Sequence, residues 1–156
     1  MTEAAQANAQ PLFNLEKIYV KDLSLEIPHA PQIFLEHDNP QIDVQLHSQA
    51  APVEEGVFEV VVMSTVTAKV GEKVMFLIEA RQAGIFQVRN VSNEAMEPIL
   101  AVMCPNILFP YLREVVSDVA VRAGFAPVLL NPINFESLYQ QQKQQAQAAT
   151  TTATTH

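Results

Sequence analysis

Cys104 is the residue of this sequence best suited to nucleophilic chemistry. It directly precedes Pro105, which is favoured in the first turn of a helix, and the dipole at a helix start lowers the pKa of a thiol. A thiol nucleophile also needs a general base. His29, His37 and His47 lie in the opposite half of the chain and form no Cys-His family signature with it. The sequence therefore predicts a structural role for Cys104.

Two histidines have carboxylates close by in sequence and are candidate metal ligands. His37 adjoins Asp38, and His47 follows Asp43 by four residues. No HExxH or similar ligand spacing occurs, so these side chains are predicted to be polar surface groups. The chain also has just 4 glycines and no glycine-rich phosphate loop. Taken together, the residue types predict no catalytic site, no metal and no cofactor.

Composition narrows the choice of partners and compartment. The formal net charge is −8, with no run of Lys or Arg, which argues against nucleic acid and anionic membranes as partners. The single cysteine cannot form an intramolecular disulfide and suits a reducing compartment. The N-terminal residues lack the basic and apolar regions of a signal peptide, and no run of 18 apolar residues occurs. These features predict a cytoplasmic protein without a membrane span.

Alternation of apolar and polar residues predicts strands over the first two-thirds of the chain. The longest apolar row consists of even-numbered residues between Phe58 and Val70. Gly71 and the Ala83-Gly84 pair are predicted to be tight turns, which makes the last three segments an antiparallel meander. The predicted strands are 18–26, 41–47, 58–70, 74–82 and 85–91.

Helical signals follow the strands. Asn93 is predicted to cap a short helix, and a longer helix is predicted from Pro105 to about Arg122, ended by Gly124. Asn134 is predicted to cap a last helix. The order of strands first and helices afterwards predicts an α+β domain with the helices on one face of an antiparallel sheet. The apolar stripe of the longer helix consists of Leu108, Leu112, Val115, Val116, Val119 and Ala123.

The other face of the sheet is predicted to be a mixed surface that either water or another protein could cover. Asp22 and Glu26 share one face of the first strand, which by default is a solvated face. Across the central strands this surface is predicted to carry Val57, Glu59, Val61, Met63, Met75, Leu77, Glu79 and Arg81.

The segment CPNILFPYLRE at 104–114 resembles the most distinctive motif of the SecB family of export chaperones. Three more segments follow the order and approximate spacing of that family: IYVKDLSLEIP at 18–28, FLIEARQAGIF at 76–86 and NPINFESLY at 131–139. The resemblance divides the chain into a flexible N-terminal tail (1–12), a SecB-like chaperone domain (13–139) and a flexible Gln/Ala/Thr-rich tail (140–156).

The resemblance implies a four-stranded antiparallel sheet with helices on one face, assembled as a homotetramer that is a dimer of dimers. It also implies an ATP-independent chaperone that keeps unfolded precursor proteins competent for export and delivers them to the translocase ATPase SecA. In the family, acidic and apolar positions of the open sheet face dock SecA. Here they match Asp22, Glu26, Leu77 and Glu79.

Family members bind their clients in nonpolar grooves between the early crossover, the second strand and the last helix. Two departures affect groove shape: Asp38 replaces a tryptophan of well-known members, and MEPILAVM at 96–103 replaces a histidine-containing segment. The residues that match the groove lining are Phe34, Ile42, Val44, Leu46, Phe109, Phe135, Leu138 and Tyr139.

Three alternatives stay open at the level of sequence. A SecB-like chaperone dedicated to an antitoxin would share the fold but select one partner. A carrier of small hydrophobic molecules would ignore denatured protein. A thiol enzyme would lose its activity on substitution of Cys104.

Overall fold

The computed structural model describes residues 9–153. Their strands form one antiparallel sheet in the order β1-β4-β3-β2, and the helices pack on one of its faces. The α+β class predicted from the sequence is confirmed. The strands are β1 (Leu12–Glu26), β2 (Gln41–Glu54), β3 (Val57–Val70) and β4 (Lys73–Arg89).

Connections between the strands follow from local residue types. Residues 27–40, which include the 3-10 helix Gln32–Leu35, carry the chain from β1 at one edge to β2 at the other. The β2–β3 and β3–β4 hairpins turn at Gly56 (φ 74°) and Gly71 (φ 60°). Both angles lie in the left-handed region that glycine adopts without steric cost. The predicted turn at Gly71 is therefore confirmed.

The predicted turn at Ala83-Gly84 is wrong, because β4 continues through it as one strand of 17 residues. Gly84 is paired with Val60 on one side and Ile18 on the other. A Cβ atom on this residue would lie 2.9 Å from Leu108 Cδ2 and 2.9 Å from Phe86 Cε2. The glycine thus marks a close approach of the long helix to the sheet rather than a chain reversal.

The chain is helical without interruption from Asn93 to Arg122. It comprises α1 (Asn93–Pro98), a widened π-type turn over Ile99–Met103, and α2 (Cys104–Arg122). The predicted cap at Asn93 is wrong by one residue, since the Ser92 side chain accepts a hydrogen bond from the Ala95 amide at 3.1 Å. The predicted end near Arg122 is confirmed.

The last helix, α3 (Phe135–Ala153), begins as the sequence predicts. The Asn134 side chain accepts a hydrogen bond from the Ser137 amide at 3.0 Å, which confirms the predicted cap. The helix continues past Tyr139 into the segment predicted to be a flexible tail. Residues 1–8 and 154–156 of the two predicted tails lie outside the described residues. The flexibility of both tails stays a prediction.

The core lies between α2 and the two central strands. Even-numbered residues of β3 point at the helix, and Val60, Val62, Val66 and Ala68 are fully buried there. This confirms the apolar row predicted for the strand. The buried residues of α2 are Cys104, Pro105, Leu108, Phe109, Leu112, Val116, Val119 and Ala120.

Gly84→Val should destabilise the fold, because its new methyl groups would collide with the buried Leu108 and Phe86 side chains. Overpacking of this kind costs about 1–3 kcal/mol. Urea unfolding at a fixed protein concentration measures the change. Ala50→Val, at an exposed position of β2, is the control and should shift the free energy of unfolding by less than about 0.5 kcal/mol. Equal stability of both variants would contradict the close-approach role of Gly84.

Candidate binding groove and open sheet face

An apolar groove of about 720 Å³ opens beside the core. One wall is made by the 3-10 helix and the helix-side residues of β2, and the other by the irregular segment 124–133 that follows α2. Phe76 of β4 and Phe109 of α2 form the floor, where both are almost fully buried. The groove is therefore a continuation of the hydrophobic core to the surface.

Large apolar side chains of the walls remain reachable from solvent. Phe34 is 46% exposed, Ile42 40%, Val44 42% and Leu129 77%. Apolar surface removed from water contributes about 25 cal/mol per Å² regardless of the sequence that covers it. Contiguous exposed apolar surface on a folded protein commonly marks an interaction site. This lining suits nonpolar segments of many sequences.

An aromatic stack joins the mouth of the groove to its floor. The Phe34 and Phe125 rings are stacked with centroids 5.1 Å apart, and Phe125 lies 4.8 Å from Phe76. Gly124 (φ 92°) precedes Phe125, and a Cβ atom on it would lie 3.1 Å from Phe34. The helix stop predicted at Gly124 is confirmed, and the same glycine lets Phe34 approach the segment after α2.

Five of the eight predicted client residues meet in this groove. They are Phe34, Ile42, Val44, Leu46 and Phe109. The structure thus places the crossover, β2 and α2 around one space, as the predicted site requires.

The three predicted residues of α3 do not line the groove. Phe135 is 1% exposed and packs edge-on against Phe109 at 5.8 Å, so it supports the floor from behind. Tyr139 is also buried, and Leu138 is half-buried against the core. Their contact with a client stays a prediction.

Sequence reasoning missed the second wall. Residues 125–130 read FAPVLL, and Phe125, Val128, Leu129 and Leu130 all line the groove. An available signal was a run of large apolar residues in a segment whose Pro127 prevents a regular helix. Met75 was also missed. A register shift between Ala68 and Lys69 turns it from the predicted open face into the groove.

The predicted docking residues share the sheet face opposite the helices, here called the open face. Glu26 lies directly opposite Leu77 in the β1–β4 register, and Ser24 lies opposite Glu79. Cross-strand partners have side chains on the same face. Asp22 is two pairs further along, opposite Arg81. The four predicted residues Asp22, Glu26, Leu77 and Glu79 thus form one patch.

The carboxylates of this patch are exposed, and Leu77 between them is half-buried. Within residues 9–153, the ion pairs closer than 4.0 Å include none of Asp22, Glu26 and Glu79. Their charges are therefore available to a basic partner.

A fourth carboxylate of the open face, that of Glu59, is hydrogen-bonded within the fold. Lys21 Nζ lies 2.7 Å from Glu59 Oε1, and the Tyr19 hydroxyl donates to Glu59 Oε2. The bonds from Lys21 and Tyr19 hold the pKa of the Glu59 carboxyl below its usual value, against the effect of burial. Burial and the bond to Glu59 raise the pKa of Tyr19 to about 12. Glu59 stays ionised and is neutralised within the fold.

Cys104 is fully buried at the start of α2. Burial raises the pKa of its thiol to about 12. The helical run Asn93–Arg122 continues through Cys104, so the free helix N-terminus considered from the sequence is not beside the thiol. A thiol with such a pKa has almost no thiolate near pH 7, which does not suit a nucleophile. The structural role predicted for Cys104 agrees with this environment.

The described chain was predicted to hold no metal and no membrane span, and two structural features bear on these predictions. In the part of the chain that the structure describes, no three His, Cys, Asp or Glu side chains cluster as metal ligands would. The helical run Asn93–Arg122 is long enough to cross a bilayer, and an 18-residue window within it has a mean hydropathy of 1.4. One side of α2 packs on β3 and β4, and a third of the apolar window is buried. One helix of this kind is weak evidence for a membrane span.

Comparison with known proteins gives one consistent family. The family model described as "Preprotein translocase subunit SecB" matches residues 6–146. The Protein-export protein SecB of Methylobacillus flagellatus is 60% identical over 154 residues, covering 99% of this chain and 98% of the relative. That of Chromobacterium violaceum is 62% identical over 144 residues, covering 92% and 96%.

Among solved structures, a SecB-like chaperone of Mycobacterium tuberculosis in complex with a ChAD peptide from an antitoxin has the same fold. The TM-score is 0.65 with 16% identity, over 78% of this chain and 90% of that one. The sequence matches run through both the groove segments and the open-face strands. Together they show that this chain belongs to the SecB family of protein-export proteins.

Proposed function

We propose that this protein is an ATP-independent cytoplasmic chaperone that holds unfolded precursor proteins for export and delivers them to SecA. The exposed apolar groove is the observation that carries the proposal. Membership of the protein-export family supports it. Binding and release need no reaction at the protein, since an unfolded chain is captured through its nonpolar surface alone.

The groove suits an unfolded rather than a folded client. A folded protein has most of its large apolar side chains buried, whereas an unfolded chain exposes them in succession. The groove offers exposed apolar surface that complements such side chains along one edge of the sheet. Phe34, Ile42 and Val44 form this surface. Several grooves in one assembly would increase avidity for a long chain.

Val44→Asp should weaken binding of an unfolded precursor by about tenfold, because a carboxylate in the groove must be desolvated beside the client. Val44 is 42% exposed, so the fold should tolerate the change. Fluorescence titration with a labelled, denatured precursor measures the dissociation constant. Val53→Asp is the matched control, since Val53 is also exposed on β2 but lies outside the groove. Equal weakening in both variants would contradict this site.

The same titration separates the rival functions when it is repeated with several unrelated precursors. An antitoxin-dedicated chaperone, which the M. tuberculosis complex exemplifies, would select one partner. A carrier of small hydrophobic molecules would bind none of the precursors and would retain lipid on purification. Comparable affinity for unrelated precursors supports the export chaperone.

For delivery to SecA we propose the open-face patch of Asp22, Glu26, Leu77 and Glu79. The patch lies on the sheet face opposite the helices, so a docked partner would not displace a client from the groove. Its carboxylates have no ion pair within 4.0 Å among the described residues and suit a basic segment of the partner, and Leu77 adds an apolar contact.

The double variant Glu26→Gln/Glu79→Gln should weaken SecA binding by about tenfold at low salt, and less at high salt because ions screen the lost attraction. Calorimetric titration with purified SecA measures the dissociation constant. Glu54→Gln/Glu55→Gln removes the same charge from exposed positions at the β2–β3 turn and should leave affinity unchanged. Loss of precursor binding in the Glu26/Glu79 variant would contradict the proposal that the precursor and SecA bind at separate sites.

We also propose assembly as a dimer of dimers. Two surfaces of the described chain offer contacts to further copies. β1 is an edge strand with Val20 and Leu23 more than 40% exposed, and the outward side of α2 exposes Tyr111 and Val121. An unpaired strand edge and an apolar helix face are both surfaces that proteins usually cover.

Size-exclusion chromatography with light scattering should give a mass of four times 17.3 kDa, about 69 kDa. Tyr111→Asp/Val121→Asp should reduce it to about 35 kDa, twice 17.3 kDa, because two charges would oppose contact between helix faces. Val53→Asp, also an exposed apolar position, should leave the mass unchanged. A wild-type monomer that ignores denatured precursor would refute the proposed chaperone.

A further inference from the structure

The wall of the groove that follows α2 has little regular structure of its own. Residues 126–133 contain Pro127 and Pro132, and no helix or strand forms there. Backbone–backbone hydrogen bonds tie the first two residues of the wall, Gly124 and Phe125, to the end of α2. Within residues 9–153, none joins residues 126–133 to another element. The position of this segment therefore depends on side-chain contacts.

Arg113 supplies a polar link from α2 to this wall. Its Nε donates a hydrogen bond of 2.8 Å to the backbone oxygen of Leu130. The centre of its guanidinium lies over the Phe109 ring, 4.9 Å from the centroid. Phe109 belongs to the floor of the groove and Leu130 to its wall, whereas Arg113 itself does not line the groove. One side chain thus joins floor and wall from behind.

The geometry depends on a guanidinium. A planar cation can lie against a ring through its face while its N–H groups donate along its plane, so the two contacts fix the carbonyl relative to the ring. The ammonium group of lysine is a point charge without this plane. Among the described residues, the ion pairs within 4.0 Å do not include Arg113. The cation is thus used for these two contacts rather than for a carboxylate.

We propose that Arg113 is a positioning residue that holds the 126–133 wall against the groove floor and thereby sets affinity for the client. The inference rests on the proposed chaperone function of the groove. Arg113 acts on the client through Leu130 and Phe109 without touching it. When the wall detaches, fewer molecules have a formed groove, and the apparent affinity falls by the same fraction.

Limited chymotrypsin proteolysis tests the position of the wall without any client. Phe125, Leu129 and Leu130 are cleavage sites in or beside the wall, and mass spectrometry maps each cut. Arg113→Met keeps a long apolar side chain but removes the hydrogen bond, and should speed these cuts about tenfold. The cleavage rate of Arg113→Lys should lie between those of Arg113→Met and the wild type. Cleavage within β4, after the fully buried Phe86, reports global unfolding and should not change.

Precursor titration then tests the consequence for binding. Arg113→Met should weaken binding at least about threefold, and Arg113→Lys should restore part of the loss. Arg122→Met is the control, because Arg122 also lies on α2 but pairs with Asp118 on an exposed surface. It should change neither cleavage nor affinity.

Each result has one meaning. Unchanged wall cleavage in Arg113→Met, or faster cleavage with unchanged precursor affinity, overturns the inference. Faster cleavage throughout the chain also overturns it, because Arg113 would then support the whole fold. If Arg113→Met does not fold, the Arg113→Lys comparison decides in the same way. If the wild type binds no precursor, the proposed function fails, while the cleavage comparison still decides whether Arg113 holds the wall.

Discussion

The structure depends on one geometric constraint, which is that a single helix packs over a sheet of four strands. A helix with its side chains is about 10 Å wide, and neighbouring strands lie about 4.8 Å apart, so one helix covers about two strands. Helix α2 packs on β3 and β4 and seals their apolar row completely. The helix-side residues of β2, among them Ile42 and Val44, lie beyond its reach and stay about 40% exposed. The groove is this uncovered remainder of the core.

The open face has a different chemistry because no helix within residues 9–153 packs on it. Carboxylates there are of two kinds. Glu59 is neutralised within the fold by Lys21 and Tyr19 and links β1 to β3 across β4. Glu26 and Glu79 have no ionic partner within 4.0 Å in the described chain, so their charge is left for the surroundings. A sheet therefore lets one thin domain present an apolar groove on one side and an acidic patch on the other.

Sequence patterns predicted the structural features that depend on local periodicity and residue type. The row from Val60 to Ala68, the end of α2 near Arg122 and the cap at Asn134 all follow from spacing and residue type. Contacts between distant segments were beyond those patterns. Gly84 looks like a turn residue until Leu108 is seen packed against it. The wall at 124–133 has no period that could predict it. Its position depends on contacts with Phe34 and Arg113 from elsewhere in the chain.

Because α2 covers β3 and β4 but not β2, the residues that stabilise the fold differ from those that stay exposed in the groove. Fully buried side chains such as Val62, Phe86 and Leu112 join β3, β4 and α2, and removing one would leave a cavity in the core. The groove side chains of β2 are half in water already, so they contribute less to folding and more to whatever covers them. A wall that is attached mainly through side chains can move more readily than one held by backbone hydrogen bonds. The apolar groove thus lies where an edge strand and an irregular segment of this fold face each other.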